Sequence, residues 1–130
     1  MCHLDAAMTK QGVEALGIDG VELAILENVG NLVCPAEFDT GAVKNVMILS
    51  VPEGDDKPLK YPLMFKVSDV VLINKIDVLP YFDFDVEKCK EYIKHRNPNA
   101  KIFLICAKTG EGIEEWATWL NDEVREWIDK

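Results

Sequence analysis

The chain has 130 residues, 48% hydrophobic and 28% charged, with a formal net charge of −9. Such a composition buries one core and excludes an intrinsically disordered chain. The acidic balance, with no Lys/Arg run, excludes a phosphate-tracking nucleic-acid face. No stretch approaches the roughly 20 apolar residues of a membrane span, and no basic-then-apolar leader opens the sequence. The expected setting is cytoplasmic, where Cys2, Cys34, Cys89 and Cys106 read as thiols or metal ligands rather than disulfides.

In chain order, His3–Leu16 predicts a helix: Leu4, Ala7, Met8, Val13 and Leu16 give an imperfect helical stripe, and Gly17 supplies a stop. Val21–Leu26 and Asn45–Val51 predict strands. Pro52–Pro58, "PEGDDKP", predicts a loop of turn formers, and Leu59–Val67 a short helix broken near Pro62. Asp69–Asn74 and Ile102–Cys106 are two further predicted strands. Between them Val86–Arg96 predicts a helix capped by Asp83 or Asp85. The last helix runs from about Gly112 to Ile128, where Ile113, Trp116, Leu120, Val124 and Trp127 recur on one face. Short, continuous apolar strands alternating with helices predict the α/β class: a three-layer arrangement, its parallel sheet covered on both faces.

Ligands in such sheets bind beyond the carboxyl ends of the strands. The segments there are Glu27-Asn28-Val29-Gly30, Asn74-Lys75-Ile76-Asp77 and Ala107-Lys108-Thr109-Gly110. A guanine edge offers an N1–H and an exocyclic amine, and the single carboxylate of Asp77 can accept from both. Asn74 can bond the base and tie neighbouring loops, while the stem of Lys75 can lie over the purine with its ammonium in water. The plainer alternative is a polar loop capped by Asn and Asp. "CAKTGEG", residues 106–112, leaves the sheet at the same edge. There a backbone N–H near Ala107 can meet the guanine carbonyl and Lys108 can pack on the base; the plainer reading is that Thr109 and Gly110 cap the last helix, and the two are compatible. Together the two loops resemble the base-specificity motifs of the GTPases.

"ENVGNLVCP" ends a predicted strand on Glu27, with Gly30 and Cys34 following. The residues alone allow a phosphate switch, a metal ligand, or a turn with a buried thiol. Cys2, His3 and Cys34 carry thiolate and imidazole, donors suited to zinc or nickel, but they are far apart in sequence. Cys89 and Cys106 read as packing residues. Five apolar side chains in "VLPYFDF", Val78–Phe84, either wrap the core or form a dimer contact.

"CHLDA", "ENVGNLVCPAEFD", "EGDDKPLKYPLMF", "LINKIDVLPYFDFD" and "KTGEG…W", in this order, resemble the hydrogenase nickel-incorporation GTPases, the HypB family, over nearly the whole chain. The resemblance implies a P-loop NTPase fold of the SIMIBI type. It implies a cytoplasmic metallochaperone that forms a nucleotide-dependent homodimer and couples GTP binding and hydrolysis to nickel or zinc delivery. Its implied partners are other hydrogenase maturation proteins and the hydrogenase large subunit, with neither nucleic acid nor membrane. It carries guanine binding onto Asn74, Lys75, Asp77, Ala107 and Lys108, the nucleotide switch onto Glu27, which organises Mg²⁺ or its waters, and Gly30, whose N–H contacts the γ-phosphate, and the Ni²⁺ or Zn²⁺ site onto Cys2, His3 and Cys34. The alternatives are a non-enzymatic metal- or partner-binding fragment of such a GTPase, or a urease-type nickel-insertion relative. One departure is plain: no G-x-x-x-x-G-K-[ST] phosphate loop occurs in the 130 residues. Residues 1–130 are therefore expected to form a single partial G domain, its C-terminal portion, with the phosphate loop and first switch region absent.

Overall fold

The computed structural model describes residues 5–17, 19–28 and 39–130. The predicted site residues Cys2, His3, Gly30 and Cys34, along with Leu4 of the first helical stripe, lie outside them.

Helix α1, Ala6–Leu16, starts where the Asp5 carboxylate accepts the Met8 N–H at 2.8 Å and stops at Gly17. It buries none of its residues fully, and Leu16 stands 81% exposed. Val21–Leu26, expected as a strand, is not one: the run carries no strand or bridge assignment, and Val21, Leu23, Ile25 and Leu26 are all exposed. Its residue types suit a strand, but a strand also needs a ladder partner, and the described residues give it none.

The sheet consists of β1 (Val46–Ser50), β2 (Val70–Asn74) and β3 (Lys101–Leu104), all parallel, with β2 in the centre. Among the described residues, three strands thus stand where four were expected. The last ends two residues earlier than predicted: Ile105 still donates to the Ile73 carbonyl at 2.8 Å, after which Cys106 turns into a bridge with Glu111. Within 52–58 the expected loop is partly helical: Val51–Glu53 is a 3₁₀ turn, and α2 (Lys57–Lys60) begins with Pro58 in its first turn. Tyr61 separates α2 from α3 (Pro62–Val67), so the break near Pro62 falls where the sequence put it. Helix α4 spans Val86–Arg96, and Asp85 rather than Asp83 caps it, accepting from the Lys88 N–H at 3.1 Å.

One face of the sheet carries Met47, Leu49, Val71 and Ile73, packed with Phe65, Cys89, Ile93 and Ala100. The other carries Val70, Leu72 and Ile105 beneath helix α5, Ile113–Ile128. Phe103, Trp116 and Trp119 close that layer, with Trp116 stacked on Trp119 at 5.7 Å between ring centroids. Of the predicted α5 stripe, Ile113, Trp116, Leu120 and Val124 are half-buried, while Trp127 is exposed. Covering on both faces, expected for the whole sheet, holds for β2 but not for β1, whose Val46 and Ile48 are 39% and 54% exposed. Asn97 anchors the back of the molecule, its side-chain amide donating to the Ser68 carbonyl at 2.8 Å, beyond the end of α3.

Cys89 is fully buried, the packing role expected of it. Burial, and then the Asp55 carboxylate, push its thiol from 9.0 up to about 12. The neutral thiol is therefore the form the fold favours, whereas the unfolded chain ionises above about pH 9. This contribution to stability is complete below pH 9 and is lost as pH rises toward 12. Urea unfolding at pH 8 and pH 10.5 checks it. The midpoint of the wild type is expected to fall further between the two pH values than that of Cys89→Ala; parallel falls contradict the assignment.

Candidate functional site: the carboxyl edge of the sheet

The paired registers bring two loops together. Ile73 lies opposite Leu104, so the chain leaves β2 and β3 at the same level. Asn74 is the last residue of β2 and half-buried. Its side-chain Oδ1 accepts the Ala107 N–H at 3.1 Å, across 33 residues of sequence. A second bond, from the Ile76 N–H to the Ile105 carbonyl at 3.3 Å, closes the pair.

The backbone turn that allows this is Lys75, the one non-glycine residue with positive φ among those described (φ 63°, ψ 39°). The left-handed conformation costs a residue with a Cβ roughly 1–2 kcal/mol. It reverses the chain sharply enough for the Ile76 N–H to point back at the neighbouring loop. A 3₁₀ helix, Ile76–Tyr81, follows and holds Asp77 in its first turn. Lys75 and Asp77 are exposed, as are Ala107 and Lys108. The edge thus presents one carboxylate and two lysine side chains, all exposed, on one pair of tied loops.

The second loop is held by its own bonds. Gly110 N–H donates to the Cys106 carbonyl at 2.8 Å, and Glu111 N–H to the Thr109 hydroxyl at 3.3 Å. Gly112, not Thr109 or Gly110, is the residue that starts α5. Its φ is +76°, and a Cβ there would lie 2.0 Å from the Leu104 carbonyl oxygen, so no other residue fits. Cys106 is buried beneath this turn, as a packing residue should be.

Of the switch and metal residues, Glu27 alone is described. It is exposed at the end of the unpaired Val21–Leu26 run. Gly30, Cys2, His3 and Cys34 lie outside the described residues, and those described contain no cluster of metal-binding side chains. No helix among the described residues is long and apolar enough to cross a membrane.

A parallel α/β sheet with tied polar loops at its carboxyl edge is the arrangement at which α/β domains bind ligands, and it is part of a P-loop NTPase fold. The CobW/HypB/UreG nucleotide-binding domain matches residues 1–104, and the chain belongs to this family. It is 54% identical over 120 residues to the hydrogenase maturation factor HypB of Azotobacter chroococcum, covering 92% of this chain and 39% of that protein. Against Escherichia coli HypB the identity is 50% over 122 residues, covering 94% and 42%. The crystal structure of Helicobacter pylori HypB in complex with nickel superposes with a TM-score of 0.91 at 42% identity, covering 97% of this chain and 60% of that one. The chain therefore spans about two fifths of the length of these two curated relatives.

Proposed function

We propose that this chain forms the base-recognition and switch portion of a guanine-nucleotide-dependent nickel-delivery protein for [NiFe]-hydrogenase maturation. The observation that supports it is the Ala107 N–H bond to Asn74, which joins the Asn74–Asp77 loop to the 107–110 loop at one edge. On this reading Asp77 accepts from guanine N1–H and the 2-amino group, and the Lys75 and Lys108 stems flank the ring. The Ala107 N–H, which now donates to Asn74, is shared with or passed to the guanine carbonyl oxygen. GTP hydrolysis would further need a phosphate cradle, which these 130 residues do not encode.

Asp77→Asn is the sharpest check. An amide offers one acceptor and one donor where the carboxylate offers two acceptors, so it suits xanthine, which has a carbonyl at position 2. Calorimetric titration should give tighter binding of GTP than ATP by the wild type. It should give an approximately hundredfold loss of GTP affinity and a preference for XTP in Asp77→Asn, the scale of one charge-assisted bidentate contact. Equal binding of ATP and GTP, or no purine binding by the wild type, sinks the base assignment.

For the metal cargo, two thiolates and one imidazole from Cys2, Cys34 and His3 form a donor set fitted to Ni²⁺ or Zn²⁺. Glu27 and Gly30 would be the nucleotide-sensing end, with Glu27 organising Mg²⁺ or its waters. Cys34 lies four residues past Gly30. Pro35 biases it to extended geometry, so movement at Gly30 reaches the thiolate with little slack. Titration of the chain with Ni²⁺, followed by thiolate-to-metal absorption, should give one site that Cys34→Ser removes. In an intact family protein, which carries the phosphate loop, a GTP analogue should shift the affinity of that site. An unchanged site in Cys34→Ser removes that ligand from the set, and an affinity indifferent to nucleotide removes the coupling.

Homodimerisation belongs to the same reading. Tyr81 and Phe82 are 82% and 45% exposed just past the base loop, while Val78, Leu79 and Phe84 pack inward. The "VLPYFDF" segment thus splits its apolar side chains between core and surface, and the exposed pair suits a contact between copies. Sedimentation of Phe82→Asp should show weaker association than the wild type with guanine nucleotide present. Unchanged association assigns the segment to the core alone.

A further inference from the structure

The loop leaving β1 is bonded to the start of α4. Ser50 stands opposite Asn74, so this loop and the Asn74–Asp77 loop leave the sheet side by side. The turn is built directly on the strand end: the Ser50 N–H donates to Glu53 Oε2 at 2.7 Å, and the Gly54 N–H to the Val51 carbonyl at 3.2 Å. Gly54, at φ +108°, takes a conformation that residues with a side chain rarely adopt. The half-buried Asp55 comes next, and its Oδ2 accepts the Asp85 N–H at 2.7 Å, across 30 residues of sequence. A carboxylate accepting at that length makes a charge-assisted bond, the stronger kind. The same carboxylate helps to push up the thiol of Cys89, one turn into α4. At the last residue of the helix, Arg96 Nε donates to the Pro58 carbonyl at 3.3 Å, so the stretch 55–58 is tied to α4 near both helix ends.

What Asp55 holds is the far end of a short exposed strap. Residues 81–85 run from the end of the 3₁₀ helix Ile76–Tyr81 to the cap of α4. At the near end the Phe82 N–H donates to the Leu79 carbonyl at 3.3 Å, a longer bond within its own turn. The Asp55 bond, by contrast, ties the strap to a distant part of the chain. Phe84 packs inward on the core, while Tyr81 and Phe82 stand exposed between the two fixed ends. The Asp85 side chain caps α4 by accepting from the Lys88 N–H, which orders the helix but not the strap before it. Where Asp85 is placed, and so how the two rings are presented, depends on Asp55. The 3₁₀ turn Val51–Glu53 also lies against Ile76–Tyr81, so the near end of the strap rests on the same loop.

We propose that Asp55 is the positioning residue of the Tyr81–Phe82 contact surface: through the bond from Asp85, the loop leaving β1 sets how the strap presents its two rings to a second copy of the chain. Asp55 touches no partner itself and acts only through the strap. A displacement of the loop therefore reaches the contact directly, without rearranging the core behind Phe84. Because the loop leaves the sheet beside Asn74, the contact is tied to the same carboxyl edge that carries the base-recognition residues. The inference rests on the reading of Phe82 as a contact between copies, and goes beyond it by naming a residue away from the surface that controls that contact.

The experiment compares the full 130-residue wild type with Asp55→Ala, Asp55→Asn and Phe82→Asp, by sedimentation and by amide hydrogen exchange, with guanine nucleotide present throughout. Asp55→Ala should weaken association roughly tenfold and speed exchange of the Asp85 amide by a similar factor, the scale of one hydrogen bond to a charged group. Asp55→Asn keeps an oxygen able to accept from Asp85 and should restore most of both. The Leu72 and Ile73 amides of β2 and the near-ultraviolet signal of the Trp116–Trp119 pair should stay as in the wild type in every variant. Association of Asp55→Ala equal to the wild type, where Phe82→Asp weakens it, overturns the inference and leaves the contact standing. Unchanged association in Phe82→Asp, or a wild type that stays monomeric, removes the contact and the inference with it. Faster exchange across β2 in Asp55→Ala assigns the residue to general stability and likewise overturns the inference.

Discussion

The pairing of β2 on both edges is the constraint on which the rest of the structure depends. Val70, Val71, Leu72 and Ile73 are all buried, so this strand has no surface along which to slide. A slip of one residue against either neighbour would exchange its two faces, moving Leu72 out of the tryptophan layer and Ile73 out from among Phe65, Cys89 and Ile93. The register in turn fixes where the chain leaves the sheet. Asn74 and Ala107 come within one hydrogen bond because Ile73 is held opposite Leu104. The geometry of the Asn74–Asp77 loop is a property of the sheet before it is a property of the loop.

The parts of the molecule that were readable in the sequence are those whose local chemistry and tertiary surroundings agree. "DVVLIN" is apolar because both faces of β2 are covered, and Val86–Arg96 is a helix from the same first to the same last residue as its pattern predicts. The carboxyl-edge loops were readable because strand ends in parallel sheets are where polar residues gather. Val21–Leu26 was misread for the opposite reason: apolar composition signals strand competence, whereas strand formation also needs a partner at hydrogen-bonding distance. The left-handed turn at Lys75 was invisible, since lysine carries no bias toward positive φ; only the bond from Ile76 to Ile105 explains it. Trp119 was missed because it lies off the Ile113–Trp116–Leu120 stripe and reaches the core by stacking on Trp116. The role of Gly112 depends on a contact with Leu104 that no sequence pattern states.

Stability is unevenly distributed. Among the described residues the core comes from position 47 onward, while α1 buries nothing fully and the run after it is exposed. Segments with few buried contacts open at low cost, whereas those in the central sheet open only with the whole domain. The Asn74–Asp77 loop is attached to the second kind of segment. Glu27 is attached to the first.

That division matters for any coupling between a nucleotide and a metal. A recognition site works best when held rigidly before the ligand arrives, because ordering it afterwards subtracts from affinity. Asn74 meets this condition: a buried strand leads into it and a hydrogen bond from the next loop holds its side chain. A switch needs the reverse, an element whose two arrangements differ by little enough for a ligand to choose between them. Glu27, exposed at the end of a run outside the sheet, stands on the less constrained side of that division, and Asn74 on the more constrained one.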